Sequence, residues 1–343
     1  MIRRPLFFLA LTAVAVFVAM NLFFASRTAR QHYYQKLEEI RTFQNLKLLL
    51  VGNSLLTDLQ TDALDKSAAR AGLKVVSMNS ALAGLLPPEQ WLLFHYAMQQ
   101  HPGIRTLVVG LYDFQLTEPD TTEVSDFIYE RMMVFDPRFP LGEVAAAYGF
   151  GPRQTLEMRL MRALPMLVFQ GNEQGHVENL RNHMQQMGMQ QPLDPGDPDQ
   201  LEATAPQEFD SQAKAFLQNP HQFNPSFESI FREARTAHMR IVLVIMPMSP
   251  LHRSTFYARP DWPLYISAMR AMALRRGFQM DWIDASGWEP NQSDFVDHVH
   301  MSRTGMNDFT IRLGTELARV LSSAQACAPA PNASCSASVS SAQ

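Results

Sequence analysis

From residue 46 onward, short apolar runs alternate with stretches of helical periodicity. Residues 46–51 are apolar apart from Lys47 and end at Gly52-Asn53-Ser54. Residues 73–78 form a second run ending at Asn79, 106–109 a third ending at Gly110, and 241–246 a fourth closed by Pro247. A weaker fifth, 280–283, is closed by Asp284. Runs without polar alternation are the mark of strands buried on both faces. Helical stretches such as 58–71 and 88–100 lie between them. Strands alternating with helices predict an α/β domain, a three-layer sandwich around a parallel five-stranded sheet.

Four segments depart from this rhythm. Residues 5–24 are apolar except for Thr12 and Asn21, and Arg3 and Arg4 precede them. About 20 such residues at a 1.5 Å rise span a hydrocarbon core of about 30 Å. Residues 1–26 are therefore expected to be a transmembrane anchor, with the N-terminus cytoplasmic. A cleaved signal peptide, although Ala25-Ser26-Arg27 is a poor cleavage site, and a buried core helix are the alternatives. The anchor and signal-peptide readings both export the rest of the chain. Residues 27–45, polar with scattered Tyr33, Tyr34, Leu37 and Ile40, read as a helical stalk. Residues 116–231, rich in Met, Gln and Pro, read as a helical insertion, either a lid or a surface elaboration. Within it, 192–198 (Pro-Leu-Asp-Pro-Gly-Asp-Pro) reads as a loop. The Ala/Ser/Pro-rich tail, 324–343, is expected to be disordered, which leaves 46–323 as the folded domain.

Composition narrows the classes. The chain has 343 residues, with 46% hydrophobic and 18% charged, which excludes a wholly disordered or collagen-like protein. It carries 29 basic and 33 acidic residues, net charge −4, with no basic block, so nucleic acid is excluded as the main partner. Its two cysteines, Cys327 and Cys335, lie in the tail and exclude a zinc-finger or disulfide scaffold. In an oxidising compartment they either close a small loop or stay apart.

The candidate chemistry sits where open α/β sheets place it, at the carboxyl ends of strands. Ser54 follows the first run at the start of a helical pattern, as either a helix cap or a nucleophile beside oxyanion-stabilising backbone N–H groups. Near the other end, Asp297 and His300 form the one Asp-x-x-His of the chain. A carboxylate so placed can hold the imidazole Nδ1 proton and leave Nε2 free as a base, or the two can be a plain surface pair. Asp294 is the alternative acid. His298 and His300 chelating a metal is a further alternative, without a third ligand at motif spacing. Among the smaller features, Trp91, Trp262, Trp282 and Trp288 are either core or a sugar site. His95 and His101 read as solvated or capping, and Asn291-Gln292-Ser293 fits a glycosylation sequon. The Gly52 loop lacks the second Gly and the Lys-Ser/Thr of a phosphate-binding loop.

Taken together, four blocks resemble the SGNH (GDSL-like) hydrolase superfamily. Gly52-Asn53-Ser54-Leu55 matches its first block with Asn53 in the slot usually held by Asp, and Asn79 followed by Gly84 matches the second. Gly110-Leu111-Tyr112-Asp113 matches the third with Tyr112 replacing the usual Asn, and Asp297 with His300 matches the last. The resemblance covers about 46–112 and 241–321. It implies a flavodoxin-like five-stranded sheet and a triad of Ser54, His300 and Asp297. It also implies an oxyanion hole formed by the Ser54 and Gly84 amides, with Tyr112 standing where a third donor is normally found. No cofactor or metal is implied. An anchored, exported member resembles envelope acyl esterases and O-acyltransferases of the bacterial inner membrane, with the catalytic domain periplasmic or extracellular. Those act on acylated polysaccharide, typically beside a multi-spanning membrane acyltransferase. Three alternatives stand beside this reading: a lipid esterase, a non-catalytic glycan- or partner-binding module, and an anchored assembly protein.

Overall fold

The structure, a computed structural model, describes residues 3–28, 32–117, 136, 138–163 and 205–325. Its centre is a five-stranded sheet in the order β2-β1-β3-β4-β5. The strands are β1 (Leu48–Val51), β2 (Ser77–Asn79), β3 (Thr106–Leu111), β4 (Arg240–Ile245) and β5 (Met280–Asp284), and every neighbouring pair is parallel. The chain steps from β1 outward to β2, then returns across β1 to β3, so the order reverses between β1 and β3. Loops leaving two adjacent strands in opposite directions open a crevice at such a point.

Alternation along each strand builds the three layers. Leu49, Val51, Leu107, Val109, Ile241 and Leu243 face one core; Leu48, Leu50, Val108, Val242 and Val244 face the other. Both cores are buried, which is why the runs show no polar alternation. The second core is closed by α4 (Thr61–Arg70) and α11 (Arg303–Gln325), the latter supplying Met306, Phe309, Leu313 and Leu317. The first is covered by α5 (Pro87–Gln100), α9 (Pro225–Thr236) and α10 (Asp261–Arg275). Further helices are α1 (Arg3–Thr28), α2 (His32–Thr42), α3 (Ser54–Thr57), α6 (Leu141–Tyr148), α7 (Pro152–Ala163) and α8 (Ala205–Gln218).

Three expectations change. Residues 27–45 do not stand off as a stalk: α2 packs on the domain, with Leu37 and Ile40 fully buried and His101 bonded through Nε2 to the Ile40 carbonyl. Burying two such side chains contributes about 1.5–3 kcal/mol each, which an 11-residue helix, marginal alone, needs. The 116–231 segment is not all insertion either. Helix α9 is the crossover into β4, and Phe209, Phe216, Phe223, Phe227 and Phe231 all belong to the first core. The 192–198 loop and the tail beyond 325 lie outside the described residues. Finally, the transmembrane helix expected over 1–26 is not shown: among the described residues, no helix is long and apolar enough to cross a membrane. Helix α1 has described side chains at Phe8 and, continuously, only over 11–23, about 20 Å of helix. Those side chains are largely exposed, and its two polar ones turn inward, Thr12 Oγ1 donating to the Phe8 carbonyl and Asn21 Nδ2 to the Phe17 carbonyl.

Candidate active site

The first turn after β1 carries Ser54. Asn53 is the cap: its backbone is extended and its Oδ1 accepts the Leu55 N–H at 3.2 Å, so Ser54 is the first helical residue rather than the cap. Leu56 pins this turn to the sheet. A Cβ at either Gly52 or Gly110 would come within 2.6 Å of the Leu56 side chain, so glycine at both strand ends lets the turn sit low over β1 and β3. Asn79, ending β2, donates through Nδ2 to the Leu56 carbonyl at 2.6 Å and accepts from the Ala81 N–H through Oδ1 at 3.0 Å. One side chain thus ties the serine turn to the loop that holds Gly84. Gly84 has φ 71, a conformation glycine adopts without strain, and a Cβ there would meet nothing within 4 Å.

The histidine arrives on the loop between β5 and α11. A single bridge from Phe295 to Met301 closes that loop, with the Val296 N–H donating to the His300 carbonyl. Across 246 residues of sequence, His300 Nε2 lies 2.9 Å from Ser54 Oγ. Its Nδ1 lies 2.7 Å from Asp297 Oδ2. Asp297 Oδ1 accepts the backbone N–H groups of Val299 and His300 at 2.8 and 2.6 Å. Burial alone would raise the Asp297 pKa. The His300 ring hydrogen bond, the His300 charge and the two backbone N–H groups outweigh it and hold the carboxyl at about 2. An ionised Asp297 places the proton on Nδ1 and leaves the Nε2 lone pair facing the serine hydroxyl. Such a chain can take a proton from Ser54 and return it to a leaving group.

Other candidates are placed elsewhere. Asp294 turns away and accepts from the Asn291 backbone and side-chain N–H groups. His298 does not join His300 on a common ligand, and among the described residues no three His, Cys, Asp or Glu side chains are grouped to hold a metal ion. Its ring instead stacks on His252, 5.5 Å between centroids and 12° between planes. Tyr112, which occupies the sequence slot of the third oxyanion donor, is half-buried and packed on the second core. Trp91 donates to Glu233, and Trp262 stacks on Tyr257 at 3.8 Å. Trp282 and Trp288 line an open cleft of about 440 Å³ at the β5 edge, with Asp284 and Arg312, and no triad residue lines it.

Sequence reasoning missed one cluster. Asp113, directly after Tyr112, accepts from His252 Nε2 at 2.9 Å, and the Asp113 N–H donates to the Tyr257 hydroxyl at 3.1 Å. His252 follows β4 and lies 139 residues from Asp113, so no spacing reveals the pair. The only sequence signals are that each follows a strand end and that Asp113 closes the third block.

No family model matches the chain, and no curated protein matches it. Two of the solved structures similar to it illustrate the likeness. One is a protein of Bacteroides fragilis assigned as an acylhydrolase, 10% identical, covering 86% of this chain and 97% of that one with a TM-score of 0.36. The other is a GDSL-like lipase of Bacteroides thetaiotaomicron, 9% identical, covering 84% and 98% with a TM-score of 0.34. Neither likeness bears on what the present chain does. The reading of its function rests on the residues gathered at the β1–β3 crevice.

Proposed function

We propose that the chain is a serine-dependent acyl-ester hydrolase or O-acyltransferase of SGNH type. The observation that carries this reading is the continuous hydrogen-bonded chain Ser54–His300–Asp297 at the switch point of the sheet. His300 Nε2 takes the Ser54 proton as Oγ adds to the ester carbonyl. The oxyanion forms beside the Ser54 and Gly84 amides. The tetrahedral intermediate then collapses, His300 protonates the departing alkoxide, and the acyl group stays on Ser54. Water or a sugar hydroxyl, deprotonated by His300, releases it and regenerates the serine.

The proposed substrate is an O-acylated envelope polysaccharide, with the domain on the outer side of a bacterial inner membrane. Two features favour that setting. The apolar stretch of α1 is exposed on all described sides and satisfies its own polar side chains, as a lipid-facing helix must. The Trp282–Trp288 cleft offers aromatic faces beside Asp284 and Arg312, a lining suited to a sugar ring. A multi-spanning acyltransferase is the proposed acyl source. Tyr112 favours one second reading, a binding module that keeps the fold without turnover.

The test uses the full-length chain with p-nitrophenyl acetate, with and without an acetyl-accepting oligosaccharide. Ser54-dependent acetylated sugar indicates transfer, and free acetate alone indicates hydrolysis. A chain that neither turns over ester nor labels with a fluorophosphonate at Ser54 leaves the binding module. Carbonate washing of membranes tests the anchor, with retention expected and release excluding it.

A further inference from the structure

Beyond the triad lies a second Asp–His pair that contacts the histidine loop. We infer that Asp113 and His252 are positioning residues that hold His300 against Ser54 by clamping His298. This inference rests on the proposed triad. Within the loop between Phe295 and Met301, Val296, Asp297, Val299 and His300 are half-exposed, Val299 resting partly on the second core, and His298 alone among the five is buried. What His298 rests on is the His252 ring, nearly parallel to its own. The same region adds a backbone tie, the Ser249 N–H donating to the His298 carbonyl at 3.2 Å, while Ser249 Oγ accepts the His252 N–H at 3.1 Å.

His252 is itself immobilised. It is 1% exposed and boxed by Phe256 and Tyr257, at centroid distances of 4.8 and 5.0 Å. Its Nδ1 has no hydrogen-bond partner among the described residues, so Asp113 is the polar partner that orients the ring, and Nε2 carries the proton. Asp113 sits at φ 43, a left-handed conformation that Asp tolerates better than most residues. That conformation turns its carboxylate from the end of β3 toward the loop after β4. The segment following His252 is a π-helical turn, Arg253–Tyr257, which delivers the Tyr257 hydroxyl to the Asp113 N–H. The ends of β3, β4 and β5 are thereby joined into one support, with the triad histidine two residues beyond it. Loss of that support displaces His300 without touching the reacting atoms, and a displacement of about 1 Å costs up to about 100-fold.

The experiment pairs deletions with conservative replacements in the full-length chain. Asp113→Gly removes the carboxylate while accepting φ 43, and Asp113→Asn keeps an acceptor. His252→Ala removes the ring, and His252→Gln keeps a donor. Expected for the deletions is a roughly 10-fold fall in kcat for p-nitrophenyl acetate and in the rate of fluorophosphonate labelling, with KM within about twofold. The conservative variants are expected to recover to within about threefold, and the double deletion to be no worse than the worse single. Amide exchange gives a readout independent of activity. Asp113→Gly should speed exchange at Val299 and His300, whose N–H groups bond to Asp297, without a matching change at Leu49 and Leu50 of β1. Unchanged exchange at His300, a conservative variant as impaired as its deletion, or multiplicative losses in the double variant would each overturn the inference. If His252→Ala does not fold, the two Asp113 variants decide. A wild-type chain inert toward both reagents defeats the proposed function, and exchange still decides the clamp.

Discussion

Two Asp–His pairs stand at the same end of the sheet, and they are built in opposite ways. In Asp297–His300 the partners are three residues apart on one loop, half-exposed, and the far ring nitrogen faces the Ser54 hydroxyl. In Asp113–His252 the partners are 139 residues apart on two loops, and the imidazole is buried with no hydrogen-bond partner for its far nitrogen among the described residues. The chemistry of the pair is the same, and its surroundings decide its use. A ring whose second nitrogen meets a hydroxyl can move a proton. A ring sealed among Phe256, Tyr257 and His298 can only hold a shape.

The comparison is broken most directly at the serine. Ser54→Ala should abolish fluorophosphonate labelling and lower ester turnover by at least about 10³-fold; appreciable turnover surviving in this variant removes the active pair from its assigned role. Next in size is Asp297→Asn, expected to lower kcat by about 10²–10⁴-fold because an amide can present its N–H to Nδ1 and stabilise the wrong tautomer. An Asp297→Asn rate within a few-fold of wild type would make the two pairs equivalent. The deletions at Asp113 and His252 come third, at about tenfold in kcat with little change in KM.

Titration sharpens the contrast further. Asp297 is held at about 2, below its ordinary value, so its contribution to stability is present above about pH 4 and is lost as pH falls toward 2. Asp297→Asn should therefore lower the melting temperature at pH 6, with the difference shrinking on acidification below pH 4. Glu289, a buried carboxyl on the same β5–α11 connection, behaves oppositely. Burial, together with Asp294 and Asp308, pushes it up to about 7 against the pull of Arg312. The sign is reversed: its protonated form is favoured in the folded state, and stability declines as pH rises from about 4.5 through 7. Glu289→Gln should raise the melting temperature at pH 8 by about 2–6 °C and leave it nearly unchanged at pH 4. An equal shift at both pH values would rule out a titration effect.

How far the sequence is legible follows from the range of each interaction. The five strands read clearly because each apolar run is its own signal, although their ends shift: β3 continues through Gly110 to Leu111, and β2 shrinks to Ser77–Asn79. Asp297 and His300 are legible because a three-residue spacing within one loop constrains both. The packing of α2 is not, since Leu37 and Ile40 look like isolated apolar residues until α5 covers them. Phe209 and Phe216 of α8, and Phe227 and Phe231 of α9, do keep a helical spacing, but the Gln and Pro around them obscured it, and Phe223 lies between the two helices.

By itself, the sequence determined the layers, the parallel sheet, the serine after the first strand and the carboxylate–imidazole pair before the last helix. These depend on periodicity and on neighbours within a few residues, where the backbone leaves few arrangements. Tertiary structure decided which residue caps the serine turn, where the imidazole meets the hydroxyl, and that Asp113 and His252 touch at all. Contacts across 139 or 246 residues exist only after the sheet has ordered its strands, because only then do the loops at their carboxyl ends share one crevice.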